Sequence, residues 1–160
     1  MLVNNSLRVS WVWAAIIIST LIIPVVAMAA EIRTGESPTL SATETVNNDL
    51  YLFGGNISSG GKVVGDLVLG GGNIIANGPV SQDIFVGGGT VSVLSDVGDD
   101  LRIGGGNITI AGKVGDDVVV AAGQTQISGA VGGDVVWVGG VLRFKGSFGR
   151  LNLARAIQQL

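Results

Sequence analysis

Aspartate recurs at Asp49, Asp66, Asp83, Asp100, Asp117 and Asp134, each 17 residues after the last. Six in-register copies without one insertion make internal repetition the first constraint on what this chain can become. The segment DLRIGGGNITIAGKVGD, residues 100–116, serves as the template. With the aspartate as column one, the second column reads Leu50, Leu67, Ile84, Leu101, Val118, Val135, and the fourth reads Leu52, Leu69, Val86, Ile103, Val120, Trp137. The ninth column (Ile57 to Leu142), the eleventh (Ser59 to Phe144) and the fifteenth (Val63 to Phe148) are also largely apolar. Alternation with β-branched residues describes short strands, and one copy supplies about three such segments.

A single copy cannot bury these faces, but stacked copies can. The columns therefore predict an all-β chain, a single-stranded parallel β-helix (β-solenoid) in which each copy makes one coil and successive coils pair at about 4.8 Å. Six coils give a rod about 30 Å long by that spacing. A helical repeat is excluded by the alternation, the β-branching and glycine in every coil. Glycine makes up 27 of 160 residues, more than twice the usual share. It fills the seventh column throughout, Gly55 to Gly140, and the thirteenth except at Ser95. Recurrent corners call for positive φ or close backbone approach there.

Two polar columns carry the chemistry. Asn56, Asn73, Thr90, Asn107 and Gln124 suggest side chains hydrogen-bonded along the rod axis. The column-one aspartates, joined by Asp99 and Asp116, put carboxylates along one edge. Like charges about 5 Å apart need solvent, backbone N–H donors or a cation. Turn aspartates capping backbone amides are the simpler account. Calcium is the sharper one, although the nonapeptide calcium motif is out of phase because the aspartate precedes the glycines.

The chain holds no His and no Cys, which excludes Ser-His-Asp and Cys-His nucleophiles, imidazole or thiolate zinc sites and disulfides. Carboxylates repeated identically in every coil read as turn chemistry, whereas an active site needs a unique constellation, so the chain is read as a non-enzyme without cofactor. The formal net charge of −3 argues against nucleic acid as a partner. Arg143, Lys145, Arg150 and Arg155 gather after a largely acidic middle and read as a solvated face.

The boundaries follow from these patterns. Residues 1–29 carry Arg8, a long uncharged stretch, Pro24 and Ala27-Met28-Ala29, the pattern of a secretory signal peptide or a retained membrane anchor. The rest of the chain is then exported or associated with the membrane or cell envelope. Residues 30–48 are a linker and N-terminal cap, in which Leu40, Ala42 and Val46 fit inward columns; residues 49–150 are the solenoid. Residues 151–160 form a short C-terminal cap with Leu153, Ile157 and Leu160 on one face of a helix. Trp137, Phe144 and Phe148 make the last full coil unusually aromatic, either plugging the core or forming a sticky terminus. The outward third column reads Tyr51, Val68, Phe85, Arg102, Val119, Val136, an apolar stripe suited to lateral contact between rods.

The recurrent corner (Val64-Gly65-Asp66, Val97 to Leu101, Val114 to Val118, Val131 to Val135) and the IxGxVG element (Ile110 to Gly115, Ile127 to Gly132, varied in Phe144 to Gly149) resemble those of the bactofilins, bacterial polymer-forming cytoskeletal proteins. The resemblance covers about residues 40–150. It implies a right-handed β-helix and nucleotide-free, non-polar homopolymers joined through the end coils, with Trp137, Phe144 and Phe148 at that contact. The leading segment is a departure, since bactofilins of the cytoskeleton generally lack one. The chain looks more like exported relatives that carry such repeats after a signal peptide. An adhesin-like rod that binds calcium or glycan along its acidic edge is the alternative class.

Overall fold

The computed structural model describes residues 30–155. The signal or anchor reading of 1–29 and the positions of Ile157 and Leu160 lie outside the described residues.

Among the described residues eleven strands follow in order: β1 (Glu31–Gly35), β2 (Thr39–Leu40), β3 (Thr45–Val46), β4 (Leu50–Ser59), β5 (Lys62–Val63), β6 (Leu67–Ala76), β7 (Ile84–Val93), β8 (Leu101–Ile110), β9 (Val118–Ile127), β10 (Val135–Phe144) and β11 (Leu151–Arg155). Each main strand pairs in parallel with the corresponding strand of the next coil, giving the order β1-β4-β6-β7-β8-β9-β10-β11, with β2 also on β4. From β4 to β10 the partners are 17 residues apart, as in Leu50↔Leu67 and Leu101↔Val118. The fifteenth column forms its own line of parallel bridges, Val63 to Val80, Val97, Val114 and Val131. The described residues form a β-solenoid of seven coils with β11 opening an eighth. The first two segments of each repeat are fused into one ten-residue strand that runs through the glycines. Its register skips one residue, Gly55 against Gly72 in the first pair, where the strand turns from one face to the next.

The inward columns form one continuous core from Leu40 to Trp137. Among the polar residues there, Thr125 and Ser59 are buried; Ser59 Oγ finds no partner, whereas Thr125 Oγ1 accepts the indole N–H of Trp137 at 3.1 Å.

Glycine acts through close approach and not through positive φ, which among the described residues occurs only at Gly35. In the thirteenth column, a methyl on Gly112 would overlap the carbonyl oxygen of Ser95 in the coil before it. The exception is itself adapted, since Ser95 Oγ donates to Gly78 O at 2.6 Å.

The ends depart from the repeat. Residues 30–48 are not a linker but a first coil: β1 pairs with β4 at Glu31↔Leu50, and β3 with β5 at Thr45↔Lys62. The offset falls from 19 residues to 17 because two extra residues enlarge the corner around Ser41–Glu44, closed by a Glu44 N–H to Ser41 O bond of 2.9 Å. Leu40 and Val46 enter the core, but this enlarged corner leaves Ala42 exposed. At the other end Leu151–Arg155 is a strand where the sequence suggests a helix. The unsatisfied edge of β10 supplies backbone partners at Val135 to Gly139, which outweigh local helical preference.

Candidate assembly surfaces

The corner aspartates are bound to the backbone along the axis. Asp49 Oδ1 accepts the Asp66 N–H at 3.0 Å, and the same bond repeats from Asp66 to Asp83, Asp83 to Asp100, Asp100 to Asp117 and Asp117 to Asp134, at 2.7–3.1 Å. Each carboxylate thus satisfies the amide of the next coil, the kind of contact that a parallel stack of identical turns makes once per repeat. The run closes because Arg150 stands opposite Asp134, one residue being missing from the last corner.

Asp99, Asp100 and Asp116 bring carboxylate oxygens within 4.8 Å of one another, the one cluster among the described residues with the donors for a hard cation. Repulsion from Asp117, followed by desolvation and by Asp100, Asp99 and Asp134, pushes the Asp116 carboxyl above the ordinary aspartate range. Along the amide column the Asn73 side chain donates to Asn56 Oδ1 at 3.0 Å. Thr90, too short to continue an amide ladder, follows Asn73 in register.

The outer stripe is real surface. Phe85, Val119 and Val136 are exposed, while Tyr51 and Val68 are half-buried. Ile32 extends the stripe into the first coil, and Phe53 and Val138 flank it in the fifth column. The sequence pattern hides these three because half of the fifth column is glycine and the first coil is out of period. Arg102, the one charged member, is held by Asp100 at 2.8 Å and Asp83 at 3.2 Å and lies 5.1 Å from the centre of the Phe85 ring. Its charge is paired with two carboxylates, and its guanidinium carbon lies over the aromatic face. Gly87 and Gly104 form the floor of a shallow apolar trough between Val68, Phe85, Val119 and Ala121.

The C-terminal aromatics divide. Trp137 is 3% exposed and belongs to the core, so it offers no surface to a partner. Phe148 is 38% exposed and meets Phe144 edge to face, with ring centres 4.5 Å apart. Leu142, Phe144 and Leu151 are partly buried against the core. Among the described residues, β11 covers only Val135 to Gly139 of β10 and leaves Val141 to Phe144 without a strand on that side.

The N-terminal coil is closed differently. Glu31 and Arg33 lie in register with Leu50 and Leu52, positions that are apolar in the coils beneath. Arg33 Nε donates to Glu31 at 2.6 Å, its Nη1 donates to Thr39 O at 2.9 Å, and the guanidinium also pairs with Glu44. Glu44 raises the Arg33 pKa, and Arg33 holds the Glu44 carboxyl below its usual range. Charges at inward positions of an edge coil are a known protection against unwanted strand pairing.

Comparison with protein-family models, curated proteins and solved structures finds no match to this chain.

Proposed function

We propose that this chain is a non-enzymatic structural scaffold of the cell envelope that self-assembles without nucleotide into polymers, the role that its resemblance to the bactofilins implies. The observation that carries this reading is the apolar stripe, which runs from Ile32 to Val138 along a rigid rod of about 34 Å by strand spacing. A stripe of this kind is suited to a second rod, and the Phe144–Phe148 pair offers a further apolar contact at the end. The envelope assignment rests on the composition of residues 1–29. The repeated carboxylates are occupied with backbone amides, which supports a structural role for them in place of general acid–base work.

The second reading, a rod that binds calcium along its acidic edge, is favoured by the Asp99, Asp100 and Asp116 cluster. Sedimentation of the full chain, without nucleotide and in either EDTA or calcium, separates the two. Concentration-dependent assembly in EDTA supports the scaffold. Assembly or folding that appears only with calcium supports the cation-binding rod.

A further inference from the structure

We propose that two copies pair flank to flank with their heads at the same end, about a two-fold axis that runs along the rod between the third and fifth columns, so that Phe85 of each copy fills the hollow over Gly87 of the other. This rests on the self-assembly reading above and names the partner and its orientation at the outer stripe. It concerns the flank of the rod and leaves the end coils to the contacts that the resemblance implies.

The hollow has no cause within the fold. The fifth column reads Phe53, Gly70, Gly87, Gly104, Ala121, Val138, so this strand position accepts anything from a methyl group to an aromatic ring. Gly70 lies beneath the Phe53 ring, 2.8 Å from where a Cβ would stand. A Cβ on Gly87 would meet nothing within 4 Å, and one on Gly104 would meet only Ala121 O at 3.9 Å. Neither glycine has a positive φ. Two glycines in mid-strand raise the entropy cost of ordering the chain and gain nothing for the coils that hold them. What they do create is an open floor beside Phe85 and Arg102 of the third column.

That floor is complementary to the column next to it. The third and fifth columns lie two residues apart, about 7 Å. A two-fold axis along the rod, above the buried fourth column, lays the third column of each copy on the fifth column of the other at the same coil. Phe85 then stands over Gly87, Arg102 over Gly104 and Val119 over Ala121, large residues on small in three successive coils. Tyr51 meets Phe53 toward the head and Val136 meets Val138 toward the tail, so apolar pairs close the strip at both ends. Turning one copy end over end instead lays third column on third and glycine on glycine, which crowds one side of the contact and leaves a void on the other.

The charges select the same orientation. The column-one aspartates border the third column on the side away from the fifth. With heads at the same end, the two acidic edges fall on opposite sides of the contact. End over end, they would run side by side, carboxylates along carboxylates. Asp83 and Asp100 also draw Arg102 toward its own acidic edge, away from the axis, which keeps the two guanidinium groups apart.

Two columns over six spacings give a contact of about 300 Å² by strand geometry, short of the roughly 800 Å² per partner of a stable interface. An isolated pair is therefore weak. Rods joined through their ends repeat the contact at fixed intervals, and pairing becomes multivalent in the polymer.

The absence of cysteine permits a direct test on the full chain. Phe53 and Val119 are exposed on the stripe, in the second and sixth coils. With facing sheets about 10 Å apart, each lies about 12 Å from its own counterpart, whereas Phe53 and Val119 are separated by four coils, about 19 Å. Strands β10 and β11 separate Val119 from the tail, so an end contact cannot supply its cross-link. Phe53→Cys and Val119→Cys, one of them carrying an affinity tag, are treated with a short bis-maleimide under assembling conditions, alone and mixed.

Parallel pairing predicts that each variant cross-links with itself and that the mixture gives no mixed product. No end-over-end register brings both positions onto themselves. Added Gly87→Val and Gly104→Val, which put the Val138 side chain's equivalent on the floor, should abolish both cross-links while the circular dichroism of the fold is unchanged. A mixed product without self cross-links, or cross-links that survive the filled floor, overturns the pairing. Assembled protein that cross-links in neither way overturns it too, and gives the stripe to another occupant such as the uncharged residues 9–30. Protein that stays monomeric throughout removes the self-assembly reading itself, and the pairing with it.

Discussion

The indole N–H of Trp137 donates to the hydroxyl of Thr125, 3.1 Å away, with both residues buried in the core. Within the six 17-residue repeats each is the exception in its column, an aromatic where the others have aliphatics and a hydroxyl where they have Ile, Val or Leu. Neither substitution suits a dry core alone. Together they satisfy one another, which ties the sixth coil to the seventh by a polar contact inside the hydrophobic column. Thr125→Val should therefore destabilise the fold by about 1–3 kcal/mol, the usual cost of a buried donor left unpaired. Adding Trp137→Leu should recover part of that loss, since the donor then disappears too. Denaturant unfolding of the two variants beside the parent measures both effects.

The glycines separate into two classes with opposite predicted responses. A methyl on Gly87 meets nothing within 4 Å, whereas one on Gly112 overlaps the Ser95 carbonyl of the preceding coil. Gly87→Ala should stabilise the fold by about 0.4–1 kcal/mol through the unfolded chain's lost freedom. Gly112→Ala should cost about 1–3 kcal/mol, as overpacking does, because coil spacing cannot yield locally. Thermal unfolding of the pair tests the distinction.

The acidic edge has a predicted pH signature. Asp117, desolvation and the other neighbouring carboxylates raise the Asp116 pKa, so over part of the acid range the folded chain holds a proton that the unfolded chain has released. The associated stability is full below the unfolded value and is lost as pH rises through the folded one. Asp116→Asn should thus raise the melting temperature relative to the parent at neutral pH, with the advantage shrinking in acid and in high salt. An advantage independent of both conditions would contradict the electrostatic cause.

Val68 is half-buried on the outer stripe, where a lysine stem can lie along the sheet with its ammonium in water. Val68→Lys should leave the solenoid folded and abolish lateral association of rods. Circular dichroism checks the first part and light scattering the second. Scattering unchanged from the parent would remove the stripe from the assembly account.

The period made most of this architecture legible before any coordinates. Once Asp49 to Asp134 set the frame, the inward columns and the outward stripe followed from counting, because a parallel stack converts sequence spacing directly into register. Legibility failed where the period failed. Two extra residues in the Ser41–Glu44 corner conceal that Glu31 and Arg33 sit over Leu50 and Leu52, so the charged closure of the head has no signal in the repeat. One missing residue before Leu151 similarly concealed β11, and apolar spacing alone suggested a helix. Residue type groups Trp137 with Phe144 and Phe148, whereas burial follows column, and the fourth column faces the core.

Negative-stain electron microscopy of the full chain, prepared without nucleotide and in EDTA, tests the central claim most directly. The account predicts assemblies longer than one rod of about 34 Å, the length that seven strand spacings give. Discrete single rods at every concentration would contradict it.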